Sequence, residues 1–250
     1  MKRTFIILLL LLFSLIIFGE RFYLINGDII EGKIIQFEKG SFFVQKGKVI
    51  EIPENNIIEI EFLKNKYDYA FNMPKDYKKW RLGGRQKNGS LIYEDIVDEQ
   101  KWLRIHKDGY TENNLYMDFE LPFYNNTNIE FSSEIMSFTS KALNLSEKKY
   151  AIAGIIFKFL DEDKNEITRT AYAWGTNAYP FEKHPWINRL YASMYKPFEI
   201  SFAVNDFVKN KEAKYLRVIF WTYCSSNENE LSADLWVKNV KLNISVIQKK

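Results

Sequence analysis

Alternation of apolar and polar side chains with a period of two constrains this chain more than any other feature. Leu115, Met117, Phe119 and Leu121 alternate with Tyr116, Asp118 and Glu120. Phe198, Ile200, Phe202 and Val204 alternate with Glu199, Ser201 and Ala203. Successive side chains of a strand point to opposite sides, so each run reads as a half-buried strand with one apolar face. Further runs fall at 91–97, 101–106, 129–138, 150–160, 166–174, 214–223 and 233–246. Asp108-Gly109, Asn125-Asn126 and the stretch from Asp161 to Asn165 supply the turns. After residue 20 no long stretch carries a helical period. So many strands at this spacing predict an all-β fold whose larger part, residues 65–250, is an antiparallel two-sheet sandwich.

Residues 20–64 read as a separate small module of five short strands. These are Phe22 to Ile25, Ile29 to Phe37, Ser41 to Lys46, Lys48 to Ile52 and Ile57 to Phe62. Asn26-Gly27-Asp28 is a turn, in which glycine supplies a positive φ without steric cost. Gly32 falls inside the second strand, where glycine marks a bulge or sharp bend. Pro53 ends the fourth strand because it cannot donate to a ladder. A sharply bent second strand among five predicts a closed miniature barrel.

Ahead of both lies MKRTFIILLLLLFSLIIFGE, with Lys2 and Arg3 before an unbroken apolar run from Phe5 to Phe18. The run is short for a bilayer span and fits a secretory signal over residues 1–19. This predicts a secreted or periplasmic protein, membrane-anchored only if the signal is retained. The single cysteine, Cys224, permits no internal disulfide and reads as a packing residue. Losing Lys2 and Arg3 with the signal takes the formal charge from +3 to +1. A near-neutral exported protein offers no electrostatic case for nucleic acid.

Two resemblances rest on these residues. NGDIIEGKI, a short hairpin and IPENNIIEI resemble the Sm-like or SH3-like small β-barrels over about forty residues. Over residues 67–246, the order of LRI with a glycine turn, IAGIIFKFLDEDKNEI, FEISFAV, KYLRVIFWTY and DLWVKNVKL resembles the galactose-binding-like jelly roll, specifically its carbohydrate-binding modules. The closing strand of that family typically reads W-x-D-x-V-x-L or close to it. Trp236, Asn239, Val240 and Leu242 stand in those places, with Asn where an acid is usual. The resemblance implies glycan or polysaccharide as partner and a structural calcium as a possible cofactor. Asp234 and Asn239 are the nearest candidate ligands in the last strand.

Strand phase nominates a binding face. In KYLRVIFWTY, Leu216, Val218, Phe220 and Thr222 share the core side, leaving Tyr215, Arg217, Ile219, Trp221 and Tyr223 on the other. In KWLRIH, Leu103 and Ile105 face inward, and Trp102, Arg104 and His106 face outward. The segment after 166–174 adds Tyr172, Trp174, Tyr179, His184 and Trp186. Aromatic rings lie flat on the C–H faces of sugars, and planar polar groups take hydroxyls in forked hydrogen bonds. The candidate ligand-binding set is therefore Trp102, Arg104, Trp174, Trp186, Arg217, Trp221 and Tyr223. The same aromatics also suit the core or a protein interface, which leaves a structural or assembly role in the cell envelope open. No catalytic motif occurs: His106 and His184 lack metal-ligand spacing, and there is no GxSxG. Glu94, Asp118, Glu120 and Glu134 could form a hydrolytic carboxylate pair or be ordinary charges on strands. The reading is a non-catalytic binding protein.

Overall fold

The structure, a computed structural model, describes residues 19–62, 66–84, 89–122, 127–140, 149–191, 197–208, 213–226 and 231–246. The expected signal and the Asn125-Asn126 turn lie outside the described residues. The chain divides into two compact units, Met1–Tyr67 and Asp68–Lys250.

The first unit is a five-stranded antiparallel sheet. Its strands are β1 (Glu20–Leu24), β2 (Ile29–Glu38), β3 (Ser41–Lys46), β4 (Lys48–Pro53) and β5 (Ile57–Phe62), ordered β4-β3-β2-β1-β5. The turn at Gly27 is made as expected, with φ of 88° and the Gly27 N–H donating to Leu24 O at 2.9 Å. Gly32 sits where β2 changes partner. Its ladder to β1 ends at Glu20↔Gly32, and the ladder to β3 begins at Lys33↔Gln45. A Cβ on Gly32 would lie 2.6 Å from Val44 Cγ1 and 2.8 Å from Gln45 O, so only glycine lets the backbones approach here. Phe22, Ile34, Phe42, Val44 and Ile52 form the core. β4 ends at Pro53, as expected, with Pro53 as its last residue opposite Ser41. Among the described residues no ladder joins β4 to β5, so the sheet is open at both edges and closure into a barrel is not seen.

The second unit is a β-sandwich of two six-stranded sheets. It contains β6 (Lys66–Phe71), β7 (Arg81–Gly83), β8 (Ser90–Val97), β9 (Gln100–Asp108), β10 (Thr111–Glu120), β11 (Thr127–Thr139), β12 (Ala151–Leu160), β13 (Glu166–Gly175), β14 (Ile187–Leu190), β15 (Pro197–Ala203), β16 (Tyr215–Cys224) and β17 (Ser232–Val246). One sheet runs β14-β13-β12-β16-β10-β7, the other β15-β11-β17-β9-β8, with β6 pairing β17. Along these two strand orders every ladder is antiparallel except β13 with β14, which is parallel. The chain is all-β, as the alternation predicts. Three strands escape that reading. In β6 the period was there, in Tyr67, Tyr69 and Phe71, but sat among lysines. β7 and β14 are too short to show one.

The core lies between the sheets. Leu216, Val218, Phe220 and Thr222 of β16 meet Leu103 and Ile105 of β9 and Leu235 and Val237 of β17 as fully buried side chains. Phe131 packs on Phe157 at 5.3 Å and on Phe220 at 6.3 Å, and Trp80 on Phe220 at 5.1 Å. β17 changes phase midway: Leu235 and Val237 point inward, then Val240, Leu242 and Ile244. The shift is a bulge opposite Ser133, where Asn239 takes φ of 50°. Asparagine tolerates this left-handed backbone better than most residues.

Candidate functional site

The structure does not bring the seven predicted site residues together. β9, with Trp102 and Arg104, belongs to one sheet, and β16, with Arg217, Trp221 and Tyr223, to the other. Their outward faces are opposite surfaces of the sandwich. Trp174 faces neither, because β13 places Ala171 and Ala173 on the outer side. Its neighbour in phase, Tyr172, packs on Phe157 at 6.4 Å in the interior. Trp174 is 4% exposed, a core residue rather than a ligand contact.

On the β9 face the predicted groups are committed to one another. Arg104 Nε donates to Asp234 Oδ1 at 2.7 Å, and its guanidinium lies 4.8 Å from the Trp236 ring and 5.6 Å from that of Tyr93. His106 Nδ1 lies 2.7 Å from the same Asp234 oxygen, and its Nε2 lies 2.8 Å from Asp108. Trp236 Nε1 donates to Asp95 at 2.8 Å. Trp102 is only 4% exposed, with the Lys238 ammonium 5.4 Å from its ring. These rings and this guanidinium are not free to receive a sugar. Burial raises the Asp234 carboxyl, but hydrogen bonds from His106 and Arg104 outweigh it and hold the group below the usual range. The bond to Asp234 pushes His106 up.

The candidate calcium ligands are also engaged. Asp234 is held by Arg104 and His106, and Asn239 Nδ2 donates to Glu134 Oε1. Five residues of strand separate the two by roughly 15 Å, too far for one ion. Asn239 is the bulge residue. Among the described residues no group of three or more His, Cys, Asp or Glu side chains could hold a metal.

The β16 face carries Tyr215, Arg217, Ile219, Trp221 and Tyr223 outward, as the phase predicts. Arg217 is not free: it donates to Asp118 twice, at 2.6 and 3.0 Å, and stacks 4.5 Å from the Tyr116 ring. Lys164 completes the cluster at 3.0 Å from Asp118. Of the other carboxylates, Glu94 pairs with Lys101 and Glu134 with Lys238.

Beyond Arg217 the same face forms a cleft of about 310 Å³. Small residues make room for it. Gly154 stands opposite Trp221 on β12, and Ala171 and Ala173 follow on β13. A Cβ on Gly154 would come within 2.3 Å of Tyr172 O. Residues 176–186 rise over this trough and bury Tyr179 against Ile152, Ile156 and Trp221. This cover explains why Trp221 is only 7% exposed despite facing outward. The cleft is walled by Trp221 and Tyr223 on one side and by Tyr179, His184 and Trp186 on the other. Trp186 is half-buried, and the Arg169 guanidinium lies 4.1 Å from its ring. Arg169 and Lys158 are both anchored to Glu166, at 3.2 and 2.7 Å. Burial raises the Tyr223 hydroxyl to about 12 and the Tyr179 hydroxyl as well, so both remain proton donors at neutral pH.

Trp186, Trp221 and Tyr223 are thus the three predicted residues that converge. Sequence reasoning missed Glu112, Asn114, Lys158 and Arg169, which line the same cleft. A signal existed for Asn114: asparagine is depleted in strands, yet two stand together in ENNLYM. Asn114 is opposite Trp221 in the β10–β16 ladder. Its Oδ1 and the Trp221 Nε1 are buried without a hydrogen-bond partner.

Two larger concavities, of about 620 and 570 Å³, adjoin on the outer face of the other sheet. Both are floored by Ser132, Glu199 and Lys241. Their aromatics are engaged elsewhere: Tyr69 packs on Phe119 at 4.9 Å, and Phe131 and Phe71 are buried.

No protein-family model matches the chain, and no curated protein matches it. Among solved structures, it is similar to the enzymatically active domain of bacteriophage CBA120 tailspike protein 4, at 9% identity and TM-score 0.41 over 66% of this chain and 19% of that one. It is also similar to a family 11 carbohydrate-binding module from Clostridium thermocellum in complex with a mixed-linked tetrasaccharide, at 11% identity and TM-score 0.36 over 70% and 94% of the two chains. A xylan-binding domain from Paenibacillus barcinonensis is similar at 10% identity and TM-score 0.32, over 67% and 87%.

Proposed function

We propose that the second unit binds a saccharide in the cleft on the β16 face and does not cleave it. The observation that carries this reading is the cleft's lining. Trp186 and Tyr223 offer apolar surface, with the buried Trp221 behind them, beside Glu112, Asn114, Lys158, Arg169 and His184. A site of apolar rings with a few placed polar groups suits sugars, which present C–H faces and hydroxyl edges to the same wall. Hydrolysis by the usual route needs two carboxylates flanking the bond. Glu112 is the one carboxylate in the described lining. The chain acts outside the cytoplasm in this reading, delivered by the apolar leader.

Affinity electrophoresis through soluble β-glucan, xylan, galactan and mannan tests the proposal. At least one polysaccharide is expected to retard the protein, and Trp186→Ala to abolish the retardation. Unretarded migration in all of them contradicts it.

A second reading, assembly with envelope proteins, is favoured by the first unit. There Ile25, Ile29, Val49 and Ile58 are each more than half exposed. Pull-down from an envelope extract with the wild type and with an Ile25→Ser, Ile58→Ser variant separates the two readings. A partner captured only by the wild type supports assembly.

A further inference from the structure

Resting on the saccharide reading, we propose that Trp221 Nε1 and Asn114 Oδ1 together read one hydroxyl of the bound sugar. The two residues are direct cross-strand neighbours, Asn114↔Trp221, and both line the cleft. Each is more than nine-tenths buried, Trp221 at 7% and Asn114 at 8% exposure, and neither polar atom has a hydrogen-bond partner among the described residues. Such pairs are rare, because buried polar groups are almost always hydrogen-bonded. An indole N–H can only donate, and an amide oxygen can only accept. A hydroxyl is the complement of that combination, since its oxygen accepts from Trp221 while its proton goes to Asn114. An ether oxygen satisfies only the indole, and an ammonium only the amide.

Glycines flank the two residues on the neighbouring strands. Asn114 Oδ1 lies against Gly83 and Gly84, where a Cβ would come within 2.9 and 2.8 Å of it. Gly154 faces Trp221 from β12. The Glu112 carboxylate, one step along the same face of β10, also lines the cleft and makes no hydrogen bond or ion pair among the described residues. It stands as a second acceptor beside the pair. Two acceptors beside one donor favour a group that carries its own proton at this position over a carboxylate.

A site built to bond a hydroxyl discriminates strongly against ligands lacking it, because its own groups are then left unpaired. The test follows the Trp221 indole ¹⁵N–¹H resonance while mixed-linked β-glucan tetrasaccharide, xylohexaose and β-1,4-galactotriose are titrated in turn into the full chain. Dissociation constants are measured for the wild type and for Asn114→Leu and Asn114→Asp. The expected result is a downfield shift of the indole proton with one oligosaccharide. Affinity should fall roughly tenfold or more in Asn114→Leu and survive in Asn114→Asp, which keeps an acceptor oxygen. If an oligosaccharide binds but the indole resonance stays still and Asn114→Leu binds equally well, the pair holds a structural water only. The inference then falls while the saccharide reading stands. If none of the three binds, the inference falls, and the saccharide reading is decided by the electrophoresis. The indole resonance is read on the wild type, so a variant that fails to fold does not remove the test.

Discussion

The two outer faces of the sandwich carry the same kinds of residue and differ in whether those residues are satisfied. On the β9 face, Arg104, His106, Asp234, Trp236 and Asp95 close into a network in which each charge has a counter-charge or a ring. On the β16 face, Arg217 is closed in the same way by Asp118, but a few residues further along Trp221 and Asn114 keep unpaired polar atoms beside a cleft. Composition and strand phase are alike, and partner geometry separates architecture from site.

The largest expected effect lies on the closed face. Asp234→Ala leaves Arg104 and His106 without their shared carboxylate, and removing one partner of a mostly buried ion pair destabilises by about 3 kcal/mol or more. Urea denaturation measures it, and a loss below about 1 kcal/mol contradicts the network's structural role. Saccharide affinity should be unchanged in whatever folds. Next, Arg217→Gln removes a bidentate bond to a carboxylate on the cleft's own sheet. It should lower stability by about 2 kcal/mol and leave affinity within roughly twofold. A tenfold affinity loss there would instead return Arg217 to the site.

How much of this was legible beforehand divides along the same line. Period two located nine of the twelve strands of the second unit, because backbone pleat and burial both write themselves into the sequence. Phase also identified Leu216, Val218, Phe220 and Thr222 as interior. What phase cannot say is which strands share a sheet, so Arg104 and Arg217 were pooled although they lie on opposite surfaces. Nor can it say what covers an outward side chain: residues 176–186 fold back over Trp221, and Asp234 waits across a ladder for Arg104, 130 residues away. Asn239 shows a third limit. It reads as a departure from the resembled pattern, and the bulge that fixes its backbone depends on Ser133 of a different strand.

The smallest effect concerns pH on the closed face. The folded pKa of His106 is raised above 6.5, so its contribution to stability is full below that value and is lost as pH rises through the folded pKa. Asp234 is lowered below 3.8, so its contribution is present above that value and lost as pH falls through its folded pKa. The network is therefore most stabilising between about pH 4 and pH 6.5. The urea midpoint of the wild type should decline as pH rises from 6.5, and His106→Gln should flatten that decline. Parallel slopes in the two proteins would show that His106 is not the titrating group.

The central claim is that the β16 face, and not the β9 face, receives the saccharide. Isothermal titration of whichever polysaccharide retards the wild type, compared across Trp186→Ala and Arg104→Ala, tests it most directly. The account predicts that Trp186→Ala loses at least roughly tenfold in affinity, as for a stacking ring at a binding hot spot, while Arg104→Ala binds as the wild type does. Equal binding by Trp186→Ala, or a loss confined to Arg104→Ala, contradicts it.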